Sequence, residues 1–252
     1  MLFWAEGLLE QAKYVLLALN VGLFVWVMVA TRRGRGGEQP EKEEHEEQGN
    51  EVLLVVAHPD DEVMFFGPTL SGLRGRKVHL LCLSNGGSAA REKEFAGSCG
   101  RLGAASWSVA QFEDGFGQDW AAEAVAAAVA RQVRRVGRLR LRSVLTFDAH
   151  GVSGHPNHSA AWRGCRQWRR AEEPGGPRLL LLRSVPLWRK YLGAAEAAAT
   201  ALLGGEECFW QADPLQAWRH MRDSYPSQWL WYRRLSVLFS RYTFVNTYVL
   251  AT

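Results

Sequence analysis

Between Glu51 and Ser184 the chain alternates short aliphatic runs with longer amphipathic or alanine-rich stretches. Residues 52–57 (VLLVVA) form a continuous aliphatic run, as a strand covered on both faces requires. Residues 77–84 (KVHLLCLS), 141–148 (LRSVLTFD) and 177–184 (PRLLLLRS) read as further strands. Helices are expected over 61–73, 91–102, 120–136 and 157–170, the first broken at Gly67-Pro68, where the proline ring removes a donor. Asn85-Gly86-Gly87 is a turn. Strands alternating with helices in this way predict an α/β domain built on a mainly parallel sheet.

The stretch before this domain follows other rules. Residues 14–30 (YVLLALNVGLFVWVMVA) contain one strongly polar member, Asn20. At ~1.5 Å rise per residue they reach roughly 26 Å, close to the hydrocarbon thickness of an endoplasmic reticulum bilayer. Arg32, Arg33 and Arg35 follow at once, which predicts a single span with the bulk of the chain on the cytoplasmic side. A cleaved signal peptide expects a basic start, whereas Glu6 and Glu10 precede Lys13 here. A buried helix of a soluble fold is the other alternative. Residues 34–50 (GRGGEQPEKEEHEEQGN) have nothing apolar to bury and read as a disordered tether, His45 being solvated within it. The expected organisation is an anchor over 1–33, a tether over 34–50 and a globular domain over 51–252.

Charge sharpens this division. Residues 38–51 carry seven glutamates against Lys42, a net of −6; the formal total is +4, so the remainder carries +10. A basic body suits an anionic partner such as a phosphate or a phospholipid surface. Four scattered cysteines, with no Cys-x-x-Cys pair, argue against a disulfide framework or a cysteine zinc site and fit a reducing compartment.

In parallel sheets the working loops lie beyond the carboxyl ends of the strands. Two polar clusters fall there: AHPDDE after the run at 52–57, and DAHGVSGHPNH after the run at 141–148. They hold His58, His150, His155 and His158, while His79 and His220 lie elsewhere. Either loop alone is accounted for by helix capping, which favours carboxylates such as Asp60 and Asp61 at a helix start. Together they predict a divalent metal site. His58, Asp61 and His158 offer two nitrogens and one oxygen, a set that suits zinc with a position left for water. Asp60 is the candidate general base and His155 the candidate oxyanion donor. Spacing alone leaves iron open, since a His/Asp/His set also serves non-haem oxygenases.

AHPDDE followed far downstream by SGHPNH resembles the LmbE-like, or PIG-L, family of metal-dependent de-N-acetylases. FDAHGVSGHPNH, SVPLWRKY and QWLWYRRLSVLFSRY bring it closest to the family's eukaryotic branch, over 52 to the C-terminus. The resemblance implies a Rossmann-like fold with helices on both faces, and zinc-dependent amide hydrolysis. It implies His58, Asp61 and His158 as metal ligands, Asp60 as base and His155 as the residue that steadies the oxyanion and is a candidate to protonate the departing amine. Arg91 and Glu94, in REKEF, resemble a substrate-contact pair; the alternative is an exposed helical ion pair. His150 stands where relatives often have glycine and reads as a surface residue. Asn157 stands where bacterial relatives often carry aspartate, which puts a charge relay to His155 in doubt. The branch implies an N-acetylglucosaminyl phosphoinositide as substrate, the endoplasmic reticulum membrane as location and the second step of glycosylphosphatidylinositol anchor synthesis as role.

Two other stretches bear on a lipid substrate. Trp231, Leu235, Leu238 and Tyr242, spaced 4, 3 and 4, form one helical stripe, flanked by Arg234 and Arg241 and opposed by Arg233. That predicts a membrane-interfacial helix, against an ordinary core-packing helix. The basic run 131–142 reads as a solvated helix end and strand edge, with a face toward anionic lipid as the alternative, and no nucleic-acid-binding motif accompanies it. The alternatives to the glycolipid reaction are deacetylation of another amino-sugar conjugate, a catalytically silent glycolipid-binding subunit, and a redox iron enzyme.

Overall fold

The computed structural model describes Gly22 and residues 49–203, 207–211, 213 and 215–251. Apart from Gly22, the expected span at 14–30 lies outside the described residues, as does all of the tether before Gly49; among the described residues no helix is long and apolar enough to cross a membrane.

A seven-stranded sheet runs in the order β3-β2-β1-β4-β5-β7-β6. Its strands are β1 (Glu51–Val56), β2 (Val78–Ser84), β3 (Ser106–Phe112), β4 (Leu141–Phe147), β5 (Arg178–Leu182), β6 (Glu207–Trp210) and β7 (Val245–Leu250). The pairings among β1 to β5 are parallel, whereas β7 is antiparallel to both β5 and β6. Every residue of β1 and β2 is buried, which explains their unbroken apolar character.

Leu54 of β1 stands level with Leu80 of β2 on one side and Leu145 of β4 on the other. The chain winds outward from β1 through β2 to β3, then crosses back to β4. The carboxyl ends of β1 and β4 therefore flank the point where the winding reverses, the usual place for a ligand crevice. The fold thus sets the two polar loops side by side.

The helices are α1 (Asp61–Met64), α2 (Gly67–Gly72), α3 (Ala89–Leu102), α4 (Ala122–Val136), α5 (Gly151–Gly154), α6 (Pro156–Ala171), α7 (Leu187–Lys190), α8 (Gly193–Leu203), α9 (Leu215–Ser224) and α10 (Trp231–Phe239). The break at Gly67-Pro68 separates α1 from α2 as expected. Ser88 caps α3, its hydroxyl accepting from Ala90 N at 3.2 Å. α4 and α6 pack closely at Gly164, where a Cβ would fall 2.3 Å from the Val125 side chain. Val63, Ala217, Met221, Tyr225 and Val237 form a second apolar cluster that fastens α9 and α10 onto α1.

The C-terminal stripe departs from expectation. α10 stops at Phe239 because Ser240 is extended (φ −70°, ψ 134°). Tyr242 sits in the following 3-10 turn, fully buried, with its hydroxyl donating to Arg183 O at 2.9 Å. Arg241 is buried too, between Thr200, Thr247 and Glu196. Trp231, Leu235 and Leu238 alone keep an exposed face, at 72%, 47% and 40%.

Candidate active site

The chain leaves β1 into a tight turn at His58-Pro59. Asp61 Oδ2 accepts from the backbone N–H groups of Ala57 at 3.1 Å and His58 at 2.8 Å, which turns its carboxylate back over the strand end. Asp60, the residue before α1, adopts φ 105°, a left-handed conformation that costs a non-glycine residue on the order of 1–3 kcal/mol. Its side chain makes no capping hydrogen bond, so capping does not account for it. The twist sends the two neighbouring aspartates in different directions.

Beyond β4, Asp148 gathers the second loop by accepting from the N–H groups of His150 and Gly151, both at 3.1 Å, and from Ser184 N at 2.6 Å. Gly151 is left-handed at φ 59°, and a Cβ there would lie 2.5 Å from the Cβ of His158. His155 is the N-cap of α6, its Nδ1 accepting from Asn157 N at 3.2 Å. His158 lies one turn on, stacked flat on Phe147 with ring centroids 4.1 Å apart.

The two loops meet edge to edge. His58 Nδ1 faces His158 Nε2 at 3.3 Å. Asp61 lies against both, Oδ2 at 3.6 Å from His58 Nδ1 and Oδ1 at 3.3 Å from His158 Nε2. The far nitrogen of each ring is already engaged. His58 Nε2 lies 3.0 Å from Asp114 Oδ1 and 3.1 Å from Asn157 Oδ1, both acceptors. His158 Nδ1 lies 2.8 Å from Gly151 O, also an acceptor. In the neutral form of each ring, the form a cation requires, the proton is thereby drawn outward and the lone pairs lie on the two nitrogens that face one another. With the Asp61 carboxylate this donor set fits a divalent cation. His155 also approaches: the ligand atoms of His58, His155 and His158 lie within 4.8 Å of one another.

Protonation follows the same geometry. Burial alone would lower the His58 imidazole, but Asp114 and Asp61 push it up to about 10, so that a cation binding at Nδ1 would displace a proton held between the two carboxylates. Burial opposes ionisation of Asp61, yet His158 and His58 hold it well below the usual carboxylate range. Burial raises Asp60 to about 6 against the pull of Arg233. Burial, with His58 and His158 nearby, lowers His155 to about 4. His155 is therefore neutral, and because its Nδ1 accepts from Asn157 its remaining proton sits on Nε2.

His150 is exposed. Asn157 is fully buried, and its side chain serves His58 and the carbonyl of Gln118. Arg91 reaches the site: its guanidinium donates to Pro59 O and Gly86 O and pairs with Asp114 Oδ2 at 3.2 Å. Glu94 instead accepts from the N–H and hydroxyl of Ser227, at 2.8 and 2.6 Å, away from Arg91.

Two residues of the site escaped the sequence. Asp114 follows β3, a half-exposed edge strand with no continuous apolar run to reveal it. Arg233 comes from α10, and its Nη1 lies 3.1 Å from Asp60 Oδ2. Arg91 Nη2 lies 3.7 Å from the same oxygen, which among the described residues has ion-pair partners but no aligned hydrogen-bond donor. The one available sign was the place of Arg233 opposite an apolar stripe.

The family model described as PIG-L, GlcNAc-PI de-N-acetylase, matches residues 53–168, which include both loops. A Bos taurus N-acetylglucosaminyl-phosphatidylinositol de-N-acetylase is 36% identical over 92% of this chain and 96% of its own length. The chain belongs to the PIG-L family. A Schizosaccharomyces pombe protein, a probable enzyme of the same name, is 30% identical over 80% of this chain and 87% of its own. Among solved structures, a conserved protein from Thermus thermophilus superposes with a TM-score of 0.54 at 22% identity, covering 80% of this chain and 94% of its own. The N,N'-diacetylchitobiose deacetylase of Pyrococcus horikoshii superposes at 0.51 with 17% identity, covering 80% and 84%. These two likenesses establish a shared fold. The PIG-L match ends before α10, so Arg233 lies outside it.

Proposed function

We propose that this PIG-L family member hydrolyses the N-acetyl group of N-acetylglucosaminyl-phosphatidylinositol, the second step of glycosylphosphatidylinositol anchor synthesis. The observation that carries the chemistry is the pair of outward-pinned imidazoles, His58 and His158, facing each other at 3.3 Å beside the carboxylate of Asp61. The names of the full-length relatives support the substrate.

His58, Asp61 and His158 would hold a divalent metal, and two nitrogens with one carboxylate suit zinc. When bound, the ion supplies Lewis acidity to an amide carbonyl and to a water. Asp60, turned away from the ligand set by its left-handed backbone, takes the proton from the attacking water. His155 Nε2 donates to the carbonyl oxygen as negative charge develops there, and a neutral donor suffices for this. Collapse breaks the C–N bond as the proton that Asp60 took from water passes to the departing amine, giving acetate and the free glucosaminyl lipid. Arg91, held by two backbone carbonyls and Asp114, is a fixed cation at the site edge.

The location we propose is the cytoplasmic face of the endoplasmic reticulum membrane, anchored through residues 14–30. The arginines after that stretch and the exposed side chains of α10 support it. The test is acetate release in detergent by wild type, metal-stripped protein, zinc-restored protein and Asp60→Asn. Release lost on stripping, regained with zinc and nearly absent in Asp60→Asn is the expected pattern. No release by folded, metal-loaded wild type overturns the substrate.

A further inference from the structure

α10 is nine residues long and has two distinct faces. One carries Trp231, Leu235 and Leu238 into solvent. From the other, Arg233 turns inward, its side chain only 19% exposed, to bring Nη1 within 3.1 Å of Asp60 Oδ2. Val237 on the same inner side packs with Val63 of α1, which fixes the helix against the site. The helix therefore runs between an apolar surface and the reacting group.

The two arginines at Asp60 are held very differently. Arg91 has two backbone carbonyls and Asp114 besides Asp60, and so is firmly held. Arg233 has Gln228 Oε1, the ring of the half-exposed Tyr232 5.8 Å away, and an ion pair that lacks hydrogen-bond alignment. Arg233 is thus the less restrained of the two cations, and the one on the helix whose outer face is apolar, placed to meet an anionic group that enters beside α10. The chemistry of the proposed substrate provides that group. It has an uncharged sugar, one phosphodiester anion and acyl chains, with the phosphate between sugar and lipid.

We propose that Arg233 is the specificity-determining residue for the phosphodiester of the substrate, leaving Asp60 to pair with the phosphate as the sugar enters. This rests on the substrate reading above. A long guanidinium side chain on a fixed helix suits bidentate phosphate recognition. The exposed face of α10 then meets the acyl side of the same molecule.

The test compares wild type, Arg233→Gln and Arg233→Lys, all zinc-loaded. Three substrates are used: the full glycolipid, its water-soluble deacylated form that keeps the phosphate, and N-acetylglucosaminyl-inositol without phosphate. Arg233→Gln is expected to lower kcat/KM about tenfold or more on the first two, mainly through KM, as loss of a charged hydrogen bond does. Whatever the variant loses through Asp60 is common to all three substrates, so the loss on the phosphate-free substrate should be at least about fivefold smaller than on the other two, and Arg233→Lys should recover part of the difference. If the phosphate-free sugar is not turned over, its inhibition of the full substrate is read instead. Equal loss on all three substrates overturns the assignment and leaves Arg233 as a clamp on Asp60. No turnover of any substrate by wild type overturns the substrate reading itself.

Discussion

Asp114 Oδ1 lies 3.0 Å from His58 Nε2, on the edge of the ring opposite His158. The same carboxylate reaches Arg91 through Oδ2 at 3.2 Å. A residue outside both sequence motifs thus joins a proposed metal ligand to the cation beside the base. Carboxylate support of this kind typically accounts for about 10–100-fold in metal affinity. Asp114→Ala should lower zinc affinity about tenfold or more, read by competition with a chromophoric chelator, while the far-ultraviolet circular dichroism stays that of wild type. Unchanged affinity would assign the support of His58 to Asn157 alone.

Gly151 holds the second loop against His158. Alanine there would take up a strained left-handed φ and place a methyl 2.5 Å from the His158 Cβ. Gly151→Ala should cost about 1–3 kcal/mol in urea unfolding and weaken zinc binding in the same protein. A variant as stable as wild type would mean that the loop relaxes freely, so that its geometry is not imposed by the glycine.

The sheet carries its own acid sensitivity at Glu51. Burial resists ionisation of this carboxylate, but His79 at 2.9 Å and Arg140 at 2.7 Å lower it below its ordinary value of 4.5. A depressed folded-state value means stability that is complete above 4.5 and is lost as pH falls through the lower one. Wild type should therefore lose unfolding free energy faster than Glu51→Gln as pH drops below about 4.5. Parallel curves for the two proteins would remove Glu51 from the acid limb.

The exposed face of α10 invites a direct measurement. Trp231→Ala combined with Leu235→Ser changes side chains that are 72% and 47% exposed, so the midpoint of thermal unfolding should move little. Sedimentation of the chain from Glu51 onward with phosphatidylinositol-containing vesicles should fall at least severalfold. Equal binding by variant and wild type would mean that α10 is not the contact.

The legible parts of this protein are those where one residue type answers one physical demand. β1 reads as a buried strand because both its faces are covered, and His58, Asp61 and His158 are visible because metal-binding residue types recur at two strand ends. β3 is illegible for the opposite reason: as a half-exposed edge it has no continuous apolar run. Tyr242 misleads because helical spacing continues through a serine that ends the helix. Arg233 is hidden because its role depends on α10 packing on α1, a contact between segments far apart in sequence that no local pattern records. Asp60 and Asp61 are alike in the sequence, and only a left-handed backbone separates their directions.

His58 and His158 stand 100 positions apart and touch only because β4 docks beside β1. Between those events the chain must complete β2, β3 and α4 on the far side of the reversal. A fragment from either half of the domain holds one imidazole and no site. The site therefore exists only once the sheet has closed across its centre, through a pairing of strands far apart in sequence. A cation bound there would tie together loops whose separation makes their closure entropically costly, and its loss should first loosen the seam between β1 and β4, detectable as faster amide exchange along those two strands.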